Sequence, residues 1–328
     1  MSNIVPASLH QSKQIALVTV ALMHGMQTSN CSLERKGSAG FISIAVLWIL
    51  GALSALVSIY AVYVINTASA LAVYDDNLRA EAIVSAAVEL TAYQQQATSI
   101  ELRPTSGSLS FRLGQANVAV EFRSEAARID LNTAPKQMLV GLFLTLGARP
   151  DDVESYADRV IGWRTASSSN QDAEGSAYRM ARVGYQPRGS NFPHSNELAT
   201  VRDLPASLVE RALPFVTVYS GLSQINVQDA APEVIASLPG MTQDRLNAFL
   251  VQRQASPQNA KLLLPAGAQQ YATLEGSKSY RVTIRITFDS GQTDNAEVVL
   301  LLFDEGDQPF AILSWRDRST EFIADKRP

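Results

Sequence analysis

The chain has 328 residues, a formal net charge of −4 and a single cysteine, Cys31. This length is enough for two modest domains that each bury a hydrophobic core. The small acidic excess disfavours general nucleic-acid binding, because contacts to phosphates need an excess of lysine and arginine. With one cysteine the chain can form no internal disulfide, so its stability depends on packing or on a metal.

The first predicted element is an apolar helix that follows a short charged cluster. Glu34, Arg35 and Lys36 form the cluster, and residues 41–74 carry no charge. A helix over residues 41–65 measures about 37 Å at about 1.5 Å per residue, which is enough to cross a bilayer core of about 30 Å. The basic residues in front place the N-terminus in the cytoplasm and the bulk of the chain on the other side. A generic single-pass anchor has the same features.

The junction in front of this helix is informative. Small residues end in Gly40, and Phe41 then opens the apolar run. A secretory signal is cut after its apolar region and loses it, whereas this layout is typical of prepilin peptidase substrates, which are cut before it. The sequence therefore predicts cleavage between Gly40 and Phe41. Residues 1–40 are then a removed leader of charge +2, which leaves −6 on the mature chain. A translation start at Met26 shortens this leader.

A helical pattern continues beyond the membrane segment to Gln96. Its apolar stripe is formed by Leu78, Ile83, Ala87 and Leu90, while the charged residues stay on other faces. An amphipathic helix of this kind buries one face against another layer. The sequence therefore predicts that the second half of one long helix lies on a sheet.

Strand patterns occur in two groups that are far apart in the chain. The first is a hairpin of residues 109–113 and 118–122, with a turn at Gly114 and Gln115. The second comprises residues 280–288, 296–303 and 309–315. The long stretch between the groups is predicted to be helices and loops. These patterns predict an α+β fold, in which a long N-terminal helix packs on a small antiparallel sheet that is interrupted by an inserted helical domain.

The inserted stretch contains an internal repeat. Residues 129–134 match residues 225–230 without a gap. Each copy has an extended lead-in, a polar residue suited to an N-cap, a proline early in the helix and then apolar residues at helical spacing. Each copy also ends in a helix that closes with an arginine, Arg164 in the first and Arg253 in the second.

These features in this order resemble the K-type minor pseudopilins of the bacterial type II secretion system. The resemblance rests on the Gly40-Phe41 junction and on the segments 130–135, 161–164, 185–187, 196–198, 213–220, 230–232, 238–240 and 313–316. It implies a pilin-like fold with a large α-helical insertion related to SAM and helix-hairpin-helix domains. It also implies a position at the tip of a short periplasmic filament. The implied partners are the I-, J- and H-type pseudopilins, prepilin peptidase and the inner-membrane secretion assembly.

The domains expected from this resemblance follow the predicted elements. They are a leader (1–40), a transmembrane helix (41–65), the pilin-like helix with the first strands (66–128), the helical insert (129–270) and the C-terminal strands (271–328).

Position five of the mature chain is Ala45, where the resembling families carry a glutamate that pairs with the N-terminal amine of a neighbouring subunit. A carboxylate in the bilayer costs a few kcal/mol unless it is paired. A subunit at the tip has no subunit ahead of it to supply the amine, so alanine suits that place. The alternative is that Ala45 is simply one more apolar residue of the helix.

The resembling family also suggests a metal site, because its segment after the Trp-Arg pair is often acidic and can hold calcium through oxygen ligands. Here Asp172 and Glu174 remain, while Thr165 and Ala166 stand where acidic residues are expected. Two carboxylates are few for a cation that takes six or more oxygens. We therefore predict that the chain binds no cofactor. The alternative is a calcium ion held by Asp172 and Glu174.

The main alternative function is that of a membrane-anchored DNA-binding protein of a competence-like system. Residues 236–242, followed by a helix to Arg253, resemble a helix-hairpin-helix element. Such a hairpin usually has a second glycine where this chain has Thr242, and no basic patch follows, so we predict no nucleic-acid binding. Of three histidines only His194 lies beyond the leader, and no catalytic motif is present. The chain is therefore not expected to be an enzyme.

Overall fold

The computed structural model describes residues 39–166, 173–182, 184–255, 264–265 and 267–317. The chain divides into two compact units, Met1–Leu71 and Ala72–Pro328. The predicted leader before residue 39 and the metal candidate Asp172 lie outside the described residues.

Seven α-helices and nine strands occur within these described residues. The helices are α1 (Ala39–Gln96), α2 (Lys136–Thr145), α3 (Pro150–Arg164), α4 (Ala173–Met180), α5 (Ala206–Ala212), α6 (Pro232–Ala236) and α7 (Gln243–Ala255). The strands are β1 (Ser106–Leu113), β2 (Ala116–Ser124), β3 (Ile129–Asp130), β4 (Val216–Thr217), β5 (Ile225–Asn226), β6 (Ala272–Thr273), β7 (Ser279–Phe288), β8 (Thr293–Leu302) and β9 (Phe310–Asp317).

The main sheet has five antiparallel strands in the order β1-β2-β7-β8-β9. Strands β2 and β7 are direct neighbours although they are far apart in the sequence, with Ser124 opposite Tyr280. The chain therefore leaves the sheet after β2 and returns to it at β7. The predicted hairpin and the three C-terminal strands are confirmed, and so is the α+β class with a long N-terminal helix and an antiparallel sheet.

The second half of α1 lies on one face of this sheet. Ile83 and Ala87 are buried against sheet residues such as Val120 and Ile284. Leu78 was predicted to belong to this stripe, but 47% of its surface is exposed. At about 100° per residue Leu78 lies about 140° around the helix from Ile83, so it faces away from the sheet. Ala80 occupies the buried position at that level instead.

The chain segment that connects β2 to β7, called the helical region below, forms a second hydrophobic core. Helices α2, α3, α5, α6 and α7 contribute buried residues to it. Helices α2 and α6 touch at Gly141, where an added Cβ atom would lie 2.0 Å from the backbone oxygen of Ser237. Only glycine permits this backbone approach, because any side chain would collide with a main chain that cannot move aside.

The two copies of the repeat have matching hydrogen bonds from a backbone N–H to a side-chain oxygen. Oδ1 of Asp130 accepts from the backbone N–H of Asn132 at 2.8 Å, and Oδ1 of Asn226 accepts from that of Gln228 at 2.8 Å. Strand β3 pairs in parallel with β4 as β5 does with β6. The side-chain oxygen at the start of each loop therefore orders the turn that leads into the helix.

The prediction of polar N-caps in the repeat was wrong. The N-cap residues of α2 and α6 are Pro135 and Ala231, and neither makes a side-chain capping bond. Both have extended backbone, with ψ of 152°. This extended stretch moves each helix start beyond the polar residue. The side chain of Thr133 donates to the carbonyl of Leu222 at 2.5 Å, and the Asp229 carboxylate accepts from hydroxyl groups outside the repeat.

The two arginines that end the repeats occupy equivalent places. Arg164 donates from Nη1 to the carbonyl of Leu131 and from Nη2 to that of Ala134 at 2.8 Å. Arg253 donates from Nη1 to the carbonyls at positions 227 and 230, the equivalents in the second copy, at 3.2 and 2.7 Å. Each arginine thus satisfies two main-chain carbonyls of the loop that opens its own repeat.

Candidate functional site

Within the first unit, Ile42–Ala68 forms a helical segment of 27 residues with a mean hydropathy of 2.4, long and apolar enough to cross a membrane. None of its most apolar window is buried by the protein. The hydroxyl groups of Ser58 and Thr67 donate to carbonyls one turn earlier, each at 2.8 Å. These two hydroxyl groups are therefore satisfied within the helix, as a lipid environment requires. This segment is compatible with a single-pass membrane anchor.

The predicted processing residues lie at the start of this helix. Helix α1 begins at Ala39, so Gly40 and Phe41 belong to its first turn. Ala45 lies one turn further along, in the same apolar stretch. The basic cluster of the leader lies outside the described residues, and the cleavage between Gly40 and Phe41 stays a prediction.

Glu174, the one candidate calcium ligand within the described residues, already forms an ion pair with an arginine. Glu174 lies in the first turn of α4, and its Oε2 accepts from Nη1 of Arg159 at 2.8 Å. Among the residues that the structure describes, no group of three or more His, Cys, Asp or Glu residues is placed to hold a metal ion. Because Asp172 lies outside them, the calcium site stays a prediction.

The hairpin that resembles a DNA-binding element uses its polar groups internally. Gly240 has a φ of +75°, which glycine adopts without strain. The hydroxyl oxygen of Thr242 accepts from the backbone N–H of Arg245 at 3.4 Å, and Nη1 of Arg245 donates to the carbonyl of Gly240 at 2.9 Å. The arginine nearest to the hairpin is thus tied back to the hairpin itself, and the following turn adds the acidic Asp244. This arrangement does not support a phosphate site.

Several residues of the segments that carried the resemblance contact one another. Nε1 of Trp163 donates to Oε1 of Glu197 at 2.9 Å, and Arg188 forms a two-point ion pair with the same carboxylate. Trp163 is almost completely buried and stacks on Phe192 with ring centroids 6.3 Å apart. These residues join α3 to the loops before α5, so their role is to hold the helical region together.

A buried ion network joins the sheet to the helical region. Glu125, directly after β2, has no exposed surface, and its carboxylate accepts from Nε and Nη2 of Arg281 at 2.7 and 3.1 Å. It also accepts from Nη1 of Arg128 at 2.9 Å and from the hydroxyl group of Thr217. Arg281 pairs in addition with Glu297 at 2.6 Å. Arg281 on β7 and Thr217 on β4 therefore both contact the carboxylate of Glu125, which directly follows β2.

This network keeps Glu125 ionised. Burial alone would raise the pKa of Glu125, but the hydrogen bonds and charges of Arg281, together with Arg128 and Thr217, lower it below its usual value. A buried charge is tolerated only where its partners satisfy it in this way.

Four further contacts join the same two regions. The Asp229 carboxylate accepts from the hydroxyl groups of Thr105 and Ser106, the latter at 2.6 Å. The backbone N–H of Ser277 donates to Oγ of Ser124 at 2.8 Å. A ring nitrogen of His194 lies 2.8 Å from Nη2 of Arg316 on β9. Sequence reasoning did not find this junction, because its partners are far apart in the chain and each is an ordinary polar residue in its local pattern.

Comparison with known protein families addresses the resemblance directly. Residues 117–221 match the family model described as type II secretion system, protein K. The matched segment begins in β2 and ends just after β4, so it includes Glu125, Arg128 and Thr217 of the buried network. The predicted resemblance to the K-type minor pseudopilins is confirmed.

A solved structure also resembles the chain. It is the crystal structure of the GspK-GspI-GspJ complex from the type 2 secretion system of enterotoxigenic Escherichia coli. The match covers 74% of this chain and 97% of that chain, with a TM-score of 0.53 and 18% sequence identity. At this identity the likeness concerns the fold. No curated protein sequence matches the chain.

Proposed function

We propose that the chain is a K-type minor pseudopilin that caps the tip of the periplasmic pseudopilus of a type II secretion system and helps to initiate it. The observation that carries the proposal is the family match over residues 117–221. That segment spans the last sheet strand before the insert and the first half of the helical region, so the match includes the feature that distinguishes this architecture from a plain pilin.

The proposed location follows from the anchor. The apolar helix Ile42–Ala68 crosses the bacterial inner membrane, with the N-terminus in the cytoplasm and the bulk of the chain in the periplasm. Prepilin peptidase removes the leader at Gly40, and the mature chain associates with the inner-membrane secretion assembly. The solved relative assembles with I- and J-type proteins, and we extend this partnership, together with an H-type partner, to the present chain.

Two features support the tip position. Ala45 offers no carboxylate to a subunit ahead of this one. The helical region between β2 and β7 adds a second hydrophobic core beside the sheet, which is bulky for the middle of a tightly wound filament. The proposed role is structural, with no catalysis and no nucleic acid. His194 fits this role, because its Nδ1 accepts from the backbone N–H of Asn196 and so orders the turn that follows it.

A secretion assay with two variants tests the tip position. In the first, residues 125–278 are replaced by a short turn, which is feasible because Ser124 and Tyr280 are cross-strand partners. Arg281 is kept in this variant, because Glu297 on β8 remains as its ion-pair partner. The second variant is Ala45→Glu.

The proposal predicts that the variant without the insert still reaches the membrane but fails to support secretion. It predicts no gain in secretion for Ala45→Glu, because a tip subunit has no amine ahead of it to pair with. Full secretion without the insert, or enhanced secretion with the glutamate, would place the subunit elsewhere in the filament.

A further inference from the structure

Four charged side chains hold α4 against its neighbours in the helical region. Nη1 of Arg159, on α3, lies 2.8 Å from Oε2 of Glu174, in the first turn of α4. Nη2 of Arg159 lies 3.5 Å from Oδ2 of Asp203, and Nη2 of Arg202 lies 2.9 Å from the same oxygen. Two guanidinium groups therefore meet two carboxylates, and the charges of these four residues, called the arginine cluster below, balance.

Gly162 gives the carboxylate of Glu174 its place beside α3. A Cβ atom at this position would lie 3.0 Å from Cγ of Glu174 and 3.3 Å from its Oε2, so a side chain would push the carboxylate outward. Positions 159 and 162 share one face of the helix, and the glycine therefore lets Glu174 lie within reach of Arg159. The two paired side chains are only 18% and 22% exposed, so solvent screens their attraction less than it screens a surface pair.

A second arginine holds the middle of α4. Nη1 of Arg202 donates to the carbonyl of Ala177 at 2.8 Å, and its backbone N–H donates to the hydroxyl group of Tyr178 at 2.7 Å. Its guanidinium carbon lies 5.7 Å from the centre of the Tyr178 ring, a distance at which a cation is attracted to the ring face. A helix of eight residues is too short to be stable by itself. These contacts therefore fix α4 in place, together with the buried ring of Tyr178.

Glu174 belongs to the segment through which the resembling family can hold calcium, but its surroundings do not suit that ion. Calcium takes six to eight oxygen ligands. Oε2 of Glu174 is bonded to Arg159, and its buried Oε1 is one free oxygen, without a partner in the part of the chain that the structure describes. Asp172 lies outside that part and can add two oxygens at most, while Thr165 and Ala166 offer no carboxylate. A calcium ion would also lie beside a guanidinium group that repels it.

We propose that Arg159 and Arg202 replace the metal ion in this chain, and that its helical region is held together without calcium. Two guanidinium groups carry a charge of +2, as one calcium ion does, and they neutralise Glu174 and Asp203 where they stand. An added calcium ion would find no net negative charge in the arginine cluster. Because the arginines are part of the chain, the stability of α4 becomes independent of the calcium concentration around the protein. This inference does not depend on where the chain assembles, so its failure leaves the proposed function standing.

Thermal unfolding of the full-length chain in detergent micelles tests whether calcium stabilises it. Divalent ions are removed with EGTA, and circular dichroism then gives the melting temperature in about 10 mM calcium and in about 10 mM magnesium, which is the control for non-specific ion effects. Extracellular calcium modules have a Kd of about 0.1–1 mM, so such a site would be nearly saturated and would raise the melting temperature by at least about 3 °C.

The proposal predicts that the melting temperatures in calcium and in magnesium agree within about 2 °C. A larger rise with calcium would overturn it.

A set of substitutions tests whether the charge of Arg159 has this role. Arg159→Gln removes the charge and keeps most of the side chain, so it should lower the melting temperature by at least about 4 °C, because the partly buried Glu174 loses its partner. Arg159→Lys keeps the charge and should lose less than half as much. The matched control is Arg149→Gln, which breaks an ion pair with Asp152 at a position that is 82% exposed and should lower the melting temperature by less than about 1 °C.

Two results with these variants would contradict the proposal. Equal melting of Arg159→Gln and Arg149→Gln would mean that the contact with Glu174 contributes no stability. A loss with Arg159→Lys as large as that with Arg159→Gln would mean that the shape of the side chain matters and its charge does not. The calcium measurement uses the unaltered chain, so it decides the proposal even if a variant fails to fold.

Discussion

Replacing Glu125 by Gln is the sharpest test of the junction between the sheet and the helical region. The substitution keeps the shape of the side chain, but it removes the charge and exchanges one acceptor oxygen for an NH₂ donor. That donor would face Arg281, Arg128 or Thr217, all of which already donate to this position. The change therefore leaves two buried cations short of an acceptor and sets a donor against a donor.

The expected cost follows from the burial of this carboxylate. Removing one partner of a buried ion pair costs about 3–5 kcal/mol, and Glu125 has no exposed surface. We take about 3 kcal/mol, because the remaining amide oxygen still accepts one hydrogen bond. For a folded unit of this size, 1 kcal/mol shifts the melting temperature by about 2–4 °C, so the variant should melt about 6–12 °C lower.

The assay is thermal unfolding of the full chain in detergent, followed by tryptophan fluorescence and circular dichroism. Glu121→Gln is the matched control, since it makes the same exchange at an exposed position on β2 and should cost less than about 0.5 kcal/mol. Equal melting of the Glu125 and Glu121 variants would refute the reasoning, because it would mean that the network contributes nothing to stability.

The same substitution has a predicted pH dependence. In the folded chain, burial acts to raise the pKa of Glu125, but Arg281, Arg128 and Thr217 together bring this pKa below its usual value. A lowered folded pKa stabilises the protein above the unfolded pKa of about 4.3, and this contribution is lost as the pH falls through the folded value. The difference in stability between the unaltered chain and Glu125→Gln should therefore be full at pH 7 and shrink below about pH 4. A difference that persists unchanged in acid would contradict the assignment.

Three further predictions concern other parts of the chain. Arg164→Ala leaves two loop carbonyls without their donor and should cost about 1–3 kcal/mol of unfolding free energy, whereas Arg149→Ala, whose side chain is 82% exposed, should cost little. Gly141→Ala places a Cβ atom 2.0 Å from a backbone oxygen and should lower the melting temperature well beyond Gly184→Ala, which meets open space. Changing Gly40 to Arg should block leader removal, which intact-mass analysis of the membrane-extracted protein would reveal as a retained leader; a mature N-terminus after the apolar helix would contradict the pilin-like processing.

The parts of the fold that were predictable have strong local signals. Strand β7 alternates buried and exposed residues along most of its length, and the anchor helix has no charge over its apolar run. Such patterns are set by neighbours in the sequence, so they can be interpreted without knowledge of the tertiary structure.

The parts that were missed depend on contacts between distant residues. Glu125 looks like an ordinary solvent-exposed glutamate at a strand end, and its burial arises only because Arg281 and Thr217 meet it in the folded chain. The N-cap prediction failed for a related reason, because Asp229 is used by hydroxyl groups that precede and begin β1 instead of by its own helix. No local pattern encodes either pairing.

Assembly with the partner pseudopilins tests the central claim most directly. A fragment that starts at Ala72, the beginning of the second compact unit, is mixed with the soluble domains of the I- and J-type proteins. Size-exclusion chromatography with light scattering then gives the mass of each species. A pseudopilin of the K type should appear in one complex whose mass equals one copy of each chain. If the fragment stays monomeric while the other two domains bind each other, the claim that this chain belongs to the tip complex is contradicted.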